Sequence, residues 1–368
     1  HNQNVRTEFR LDGGETYFNN LRLVELNPGI TDGNYLYTTG CFSLIKNIFF
    51  YDGNQQIDQC FKSDLLGTVK NLLSTNRSQN YIKQDLVNNQ WAWNPKLTTA
   101  ATEVVNYNND SLTSEVQGYL DLKDLLNILN TQPGYFRYQE PRIVIEWNTD
   151  KLNIFTASGG GTGNVDIQKP MLLADQIIGS TPPFKGVQFL TYEMDRVTLP
   201  AVAQSADSGL VKYRIGGFNN KHVNRLLLCF TPSAREDELS YNCSIANYDE
   251  EYQIFVNNEP VFPEPVDNET KLMYFNQIFG STSIPFGLDL YNVHAEGQIV
   301  DQSIYFDNTQ SWGACLLDNI FIKDLQISYR RTGGNRASQQ NSLILYIFAE
   351  VNRSVSFNAN AEVVVANV

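Results

Sequence analysis

The sequence predicts an all-β chain built from two similar, consecutive antiparallel β-sandwich domains. Three observations carry that reading. Short β-branched and aromatic segments bounded by turn residues dominate the chain, whereas helical spacings are few. Similar phrases recur in the two halves at offsets of roughly 190 to 210 residues, far longer than the ~20–50-residue periods of solenoids. The length of 368 residues suits two domains of the common ~100–200-residue size.

Taken in chain order, residues 17–26 alternate around Leu21 and Leu23 and stop at Asn27-Pro28-Gly29. Residues 35–50 are rich in apolar and aromatic side chains and end at Asp52-Gly53-Asn54, a hairpin signal. Residues 61–73 space Phe61, Leu65, Val69 and Leu72 along one helical face, and 120–129 hold a shorter helical pattern ahead of Gln132-Pro133-Gly134. Strands follow at 142–147, 151–156 and 166–178, separated by Asn148-Thr149-Asp150 and by the glycine-rich 158–163. Gly179-Ser180-Thr181-Pro182-Pro183 is a turn-forming linker, which places the domains at 1–182 and 183–368.

The second half reads as strands at 186–199, 210–215, 224–231, 251–256, 303–306, 320–329, 342–352 and 361–366, with a helical turn or two in 270–279. The polar stretches 74–109 and 231–244 read as loops decorating one end of the scaffold. Strands of this length without alternating helices favour sandwiches or Greek keys over βαβ units.

The recurring phrases are specific. Residues 42–52 lead into Gly53-Asn54-Gln55-Gln56-Ile57, and 252–256 lead into Asn257-Asn258-Glu259-Pro260. Residues 142–147 are echoed by 343–348, and 165–173 by 357–365.

Hydrophobic residues at 42% support well-filled cores, while charged residues at 18% fall below the ~25% usual in soluble domains. Asn, Gln, Ser and Thr take their place. Such a surface is easier to bury against neighbouring subunits, because desolvating an amide costs less than desolvating an ion. A net charge of −13 argues against sequence-independent binding to nucleic acid, which relies on cations neutralising phosphates. No run approaches the ~18 apolar residues of a membrane-spanning helix. The five cysteines Cys41, Cys60, Cys229, Cys243 and Cys315 contain no CxxC pair and read as buried free thiols.

Chemistry-bearing patterns are weak. A zinc site would gather His222, Cys229, Cys243 and His294, but their spacing matches no standard ligand pattern. The loop 158–163 lacks the GK[ST] ending of a phosphate loop. No G-x-S-x-G or HExxH motif occurs. Glu146, Asp150, Asp166, Glu259 and Glu264 are carboxylates of the kind a glycosidase pairs, yet no spacing brings two of them together. Residues 236–238 and 249–251 are acidic clusters that read as solvated loop charge, and Trp91 and Trp93 as loop packing or a sugar-stacking platform. No catalytic residue, cofactor-binding residue, cofactor or metal ligand is assigned.

Ser43-Leu44-Ile45-Lys46-Asn47-Ile48-Phe49-Phe50-Tyr51-Asp52-Gly53 with Ile57-Asp58 is similar to the strand, turn and "x-I-D" continuation of a known family. So are Tyr119-Leu120-Asp121-Leu122-Lys123-Asp124-Leu125-Leu126 followed by Arg142-Ile143-Val144-Ile145, the run 252–263, and Phe357-Asn358-Ala359-Asn360-Ala361-Glu362. Together they resemble the double jelly-roll major capsid proteins of the adenovirus and membrane-containing phage lineage, nearest its shorter virophage, Polinton-like and phage members.

That resemblance implies two consecutive eight-stranded antiparallel jelly-roll sandwiches, with a few short helices in loops. It implies a structural protein of a DNA virus, not an enzyme. Three copies would form a pseudo-hexameric capsomer tiling an icosahedral shell. Partners would be other copies of the chain, penton and minor capsid proteins, and an internal membrane where one is present, without direct sequence-specific nucleic-acid binding. The location would be the virion, after synthesis in the host cytoplasm. Two other readings stay open: a secreted β-sandwich carbohydrate-binding protein or glycoside hydrolase, and a trimeric receptor-binding spike subunit.

Overall fold

In a computed structural model the described residues are 6–12, 16–26, 34–36, 44–67, 118–131, 134–136, 139–148, 155–157, 170–178, 186–233, 250–267, 270, 273–274, 312–333, 340–357 and 363–367. The chain divides into two compact units. The first comprises His1–Asn71, Arg77–Thr191 and Arg353–Val368, and the second Leu72–Asn76 and Tyr192–Asn352.

The strands of the first half are β1 (Arg6–Arg10), β2 (Thr16–Leu26), β3 (Asn34–Leu36), β4 (Ile45–Asp52), β5 (Gln55–Phe61), β6 (Gly118–Asp121), β7 (Tyr135–Phe136), β8 (Pro141–Trp147), β9 (Phe155–Ala157) and β10 (Met171–Ile178). They form one sheet in the order β1-β8-β4-β5 and another in the order β10-β2-β6, with β7 also on β2 and a ribbon β3-β9. The second half holds β11 (Gly186–Leu199), β12 (Val211–Ile215), β13 (Lys221–Pro232), β14 (Glu250–Val256), β15 (Glu259–Pro260), β16 (Trp312–Ile322), β17 (Leu325–Arg331), β18 (Leu343–Phe357) and β19 (Val363–Asn367). Its sheets run β11-β18-β13-β16 and β12-β17-β14-β15, with β19 on the distal end of β18.

Strands β11 to β18 therefore make two four-stranded sheets between which the chain keeps crossing, and they differ from a simple meander for that reason. This is an eight-stranded jelly roll. The first half repeats it: β1-β8-β4-β5 corresponds to β12-β17-β14-β15, and β10-β2-β6 to β18-β13-β16. The offset is constant at the start, since Arg6, Thr16 and Ile45 open the counterparts of strands opened by Val211, Lys221 and Glu250. Among the described residues the first half lacks a counterpart of β11.

The first recurring phrase marks true counterparts, the hairpins β4–β5 and β14–β15. The other two slip by one strand. Residues 142–147 lie in β8, whose counterpart is β17 and not β18, and β10 corresponds to β18 and not β19. Both β8 and β18 are buried along most of their length, so both are continuous apolar runs with no alternation to distinguish them.

Three expected elements also differ. Residues 320–329 are not one strand; they break between β16 and β17, where Asn257 Oδ1 accepts the N–H groups of Lys323 at 2.7 Å and Asp324 at 3.2 Å. Residues 120–129 are not one helix but the end of β6 and two 3-10 turns, Leu122–Asp124 and Asn127–Asn130. The second turn starts afresh because the Ile128 N–H donates to Asp58 at 2.9 Å instead of to the preceding turn. Of the expected helix at 61–73, residues 63–67 are helical and Phe61 closes β5, while 68–73 lie outside the described residues. So do the expected strand 303–306 and the loops 74–109 and 158–163. No helix among the described residues is long and apolar enough to cross a membrane.

The second unit's core gathers Phe218, Leu226, Leu228 and Phe230 of its middle with Ile254, Ile327, Leu345 and Ile347 from both sheets, all essentially without solvent exposure. Gly333 closes one corner of this unit: a Cβ there would stand 1.9 Å from the Ala203 carbonyl oxygen. Backbone cannot yield as a flexible side chain would. Gly333→Ala should therefore lower the second unit's stability by about 1–3 kcal/mol in denaturant titrations. Gly216→Ala, with open space around the added carbon, should leave the midpoint unchanged within about 0.5 kcal/mol.

Candidate functional site

Three buried aspartates are spaced evenly along the first unit's hairpin and the helical turn after it. Asp52, at the end of β4, is fully buried and accepts the Tyr135 hydroxyl and the Gln139 N–H, each at 3.0 Å. Tyr135 packs edge-on against Phe50 with ring centroids 4.8 Å apart. Asp58, on β5, accepts N–H groups from Gln59 and Ile128 and the hydroxyl of Thr191. Arg353 donates to the adjacent Ile57 carbonyl at 3.2 Å. Asp64 accepts the Asn148 side-chain amide at 3.1 Å and the Leu65 N–H at 2.8 Å. Each carboxylate thus fixes a different connection of the roll.

Burial raises the Asp58 carboxyl above its ordinary 3.8, opposed by the bonds from Thr191, Ile128 and Gln59 and by the Arg353 charge. Burial likewise raises Asp64, opposed by Lys62, Asn148, Leu65 and Lys46. The three carboxylates act as acceptors for backbone N–H groups, hydroxyls and an amide, which is the work of structural anchors and not of an acid and base pair.

The second unit does similar work with side-chain amides, a buried arginine and two carboxylate–cation pairs. Asn257, at positive φ in the β14–β15 turn, accepts Lys323 and Asp324 N–H groups and donates to the Phe321 carbonyl at 2.9 Å. Gln253 accepts the Ile254 N–H and donates to the Phe262 carbonyl. Arg331, 1% exposed, donates to the carbonyls of Pro200 and Asn341. Glu350 receives both a 2.6 Å and a 2.8 Å bond from Arg225, and Glu193 pairs with Lys221.

The outward faces of corresponding sheets carry different chemistry. On the first unit, half-buried Phe49 lies 5.5 Å from Phe61 and 6.3 Å from Tyr51, and the Arg142 guanidinium sits 4.9 Å from the Tyr51 ring. On the second, Lys212 stands 4.2 Å over Phe255, and Arg330 pairs with Asp207 at 2.7 Å and Glu251 at 3.6 Å. Aromatic rings with arginine and amides are the composition of protein–protein contact surfaces.

The sequence-flagged residues do not converge. His222 places Nδ1 3.1 Å from the Asn319 carbonyl oxygen, and its ring lies 5.1 Å from that of Phe321. Cys229 is buried beside Thr231, while Cys243 and His294 lie outside the described residues. Glu146 accepts the Asn47 amide at 2.7 Å, and Glu259 and Glu264 are exposed. Asp150, Asp166, Trp91, Trp93, Cys41 and the cluster 236–238 lie outside the described residues. Among the described residues no three His, Cys, Asp or Glu side chains gather as metal ligands would. The buried aspartates escape a reading of the sequence, although an Asp between Ile57 and Gln59 inside a strand is unfavourable there unless it bonds something.

The chain is similar to the PBCV-1 VP54 structure fitted into a reconstruction of the virophage Sputnik, with a TM-score of 0.63 at 10% identity, covering 99% of this chain and 92% of that one. It is similar to the quasi-atomic model of the PBCV-1 virus capsid, with a TM-score of 0.59 at 12% identity over 99% and 92% of the chains. The mavirus major capsid protein gives a TM-score of 0.54 at 8% identity over 98% and 86%. No protein-family model and no curated protein sequence matches the chain. The chain has the double jelly-roll fold of these capsid proteins.

Three tests follow from the buried groups. Asp58→Ala strands the Ile128 N–H and the Thr191 hydroxyl at roughly 1–3 kcal/mol each, and Asp58→Asn should lose less because it keeps an acceptor. The raised Asp58 and Asp64 values mean that the folded chain holds protons where the unfolded chain has released them. Their contribution to stability therefore declines as pH rises from 3.8 through the folded values, and melts of Asp58→Asn,Asp64→Asn should be flatter over that window. Burial pushes the Cys315 thiol up to about 12, so thiol reagents at neutral pH should label it only after unfolding.

Proposed function

We propose that this chain is a viral major capsid protein that assembles as a homotrimer. The observation that carries the reading is the match of the whole double jelly roll, both units in one alignment, to capsid proteins of PBCV-1 and mavirus. A fold alone does not imply a function. For this chain, though, the similarity spans nearly the entire length on both sides, and no cluster of reactive groups competes with a structural role among the described residues.

The physical logic is direct. Two similar units in one polypeptide supply two of six similar positions around a ring, so three copies complete a pseudo-hexameric capsomer. Such capsomers tile the facets of an icosahedral shell. The domain division at 1–182 and 183–368 belongs to this reading as the extent of the two duplicated rolls; the compact units divide instead at 191/192 and return 353–368 to the first. The partners are further copies of the chain, penton and minor capsid proteins, and an inner membrane in particles that enclose one. The location is the virion shell, supplied from the host cytoplasm. The net charge of −13 suits a shell that leaves genome neutralisation to other components.

Light scattering of the purified chain, with negative-stain images of the peak, tests this. The expected particle has three times the 41.7 kDa mass of the chain and a hexagonal outline, alone or in sheets and shells. A species that remains at 41.7 kDa at high concentration overturns the proposal. A trimer that binds a host ligand but never tiles would point to a receptor-binding spike instead.

A further inference from the structure

Two strands belong to both compact units. β11 leaves the first unit after Thr191, and β18 enters it at Arg353. The two are neighbours in one sheet. Their first-unit ends lie so close that a Cβ on Gly186 would stand 2.8 Å from the Val355 carbonyl oxygen.

The residues at which they change unit, Thr191 and Arg353, bond the same dipeptide. Thr191 donates its hydroxyl to Asp58, and Arg353 donates to the Ile57 carbonyl at 3.2 Å while its charge acts on Asp58. Ile57 offers that carbonyl because it is the extra residue of a β-bulge: Phe50 faces Asp58 and Tyr51 faces Gln56, which leaves Ile57 out of the ladder. Asp58 is in turn tied to the first unit by the N–H groups of Gln59 and Ile128. Ile57, Asp58, Thr191 and Arg353 are all buried.

Beyond the joint the first unit has little other hold on β18. Of the side chains described at 353–356 and 363–366, Arg353, Val355 and Val363 alone are buried, whereas 343–351 in the second unit are buried throughout. A shared strand by itself lets one unit fray while the other stays folded, since its backbone bonds open one at a time. A buried carboxylate and guanidinium open differently, because withdrawing either one leaves the other desolvated. We propose that the Ile57-Asp58 joint with Thr191 and Arg353 is a coupling device. It pins both shared strands where they change unit, so that the two units open and unfold together and not one at a time.

Hydrogen exchange in the full chain tests this, with Gly333→Ala as the perturbation confined to the second unit. In the otherwise unchanged chain, Gly333→Ala should speed the slowest amides of β13 in the second unit and of β8 in the first by the same factor, about 5-fold or more. In a Thr191→Val,Arg353→Gln background, which leaves Asp58 its bonds to Gln59 and Ile128, Gly333→Ala should speed β13 and leave β8 unchanged. Asp58→Ala serves as the background if the double variant does not fold. First-unit exchange that Gly333→Ala does not move in the otherwise unchanged chain overturns the proposal without any joint variant. Equal acceleration of β8 and β13 with the joint removed also overturns it, and assigns the coupling to the continuous strands alone. Because exchange is read within one chain, the result is independent of whether the chain forms shells.

Discussion

Each roll depends on one stitch between a hairpin turn and the segment entering the strand beside that hairpin. In the first roll the Gly53 N–H donates to the Glu140 carbonyl at 3.2 Å, while Asp52 accepts the Gln139 N–H. In the second the Asn257 N–H donates to the Asp324 carbonyl at 2.8 Å, while Asn257 accepts the N–H groups of Lys323 and Asp324. The stitch ends the incoming loop at a defined residue, and so sets the register of β8 against β4 and of β17 against β14. A slip of one residue would turn every core side chain outward, so the stitch and the hydrophobic pattern act together to hold the register.

The same requirement is met by different chemistry in the two halves. The first roll uses ionisable acceptors, Asp52, Asp58 and Asp64, and the second uses Asn257, Gln253 and the guanidinium of Arg331. An amide in a turn at positive φ supplies acceptor and donor together, and asparagine tolerates that backbone well. A carboxylate can accept from more groups at once, as Asp58 does from three, but burial then penalises its charge. Burial of Asp58 and Asp64 accordingly ties part of the first roll's stability to pH.

Much of this is legible in the residues. The alternation around Leu21 and Leu23, the Asp52-Gly53 and Asn257-Asn258 turns and the run at 343–351 mark β2, both hairpins and β18 without any structure. What the residues conceal, they conceal for physical reasons. Strands buried on both faces lose their period, so the apolar pattern pairs β8 with the wrong counterpart. The 120–129 stretch has helical spacing, but its start closes a strand, and a distant carboxylate takes one of its N–H groups where the rest breaks into two short turns. The break at Lys323-Asp324 depends on Asn257, far away in sequence. The anchors themselves are hidden because the meaning of Asp58 lies in Thr191, Ile128 and Arg353, which only folding brings to it.

A duplicated scaffold has two surfaces that are free to diverge and an interior that is not. The interior kept its stitch and its strand order even though the turn that carries Asp52 in one roll carries Asn257 in the other. The corresponding outward faces did not stay alike: Phe49, Tyr51, Phe61 and Arg142 on one, and Lys212, Phe255 and the Arg330 ion pairs on the other. The difference lies outside and the likeness inside: strand order and the turn stitch recur in both halves, while the side chains on the outward faces do not.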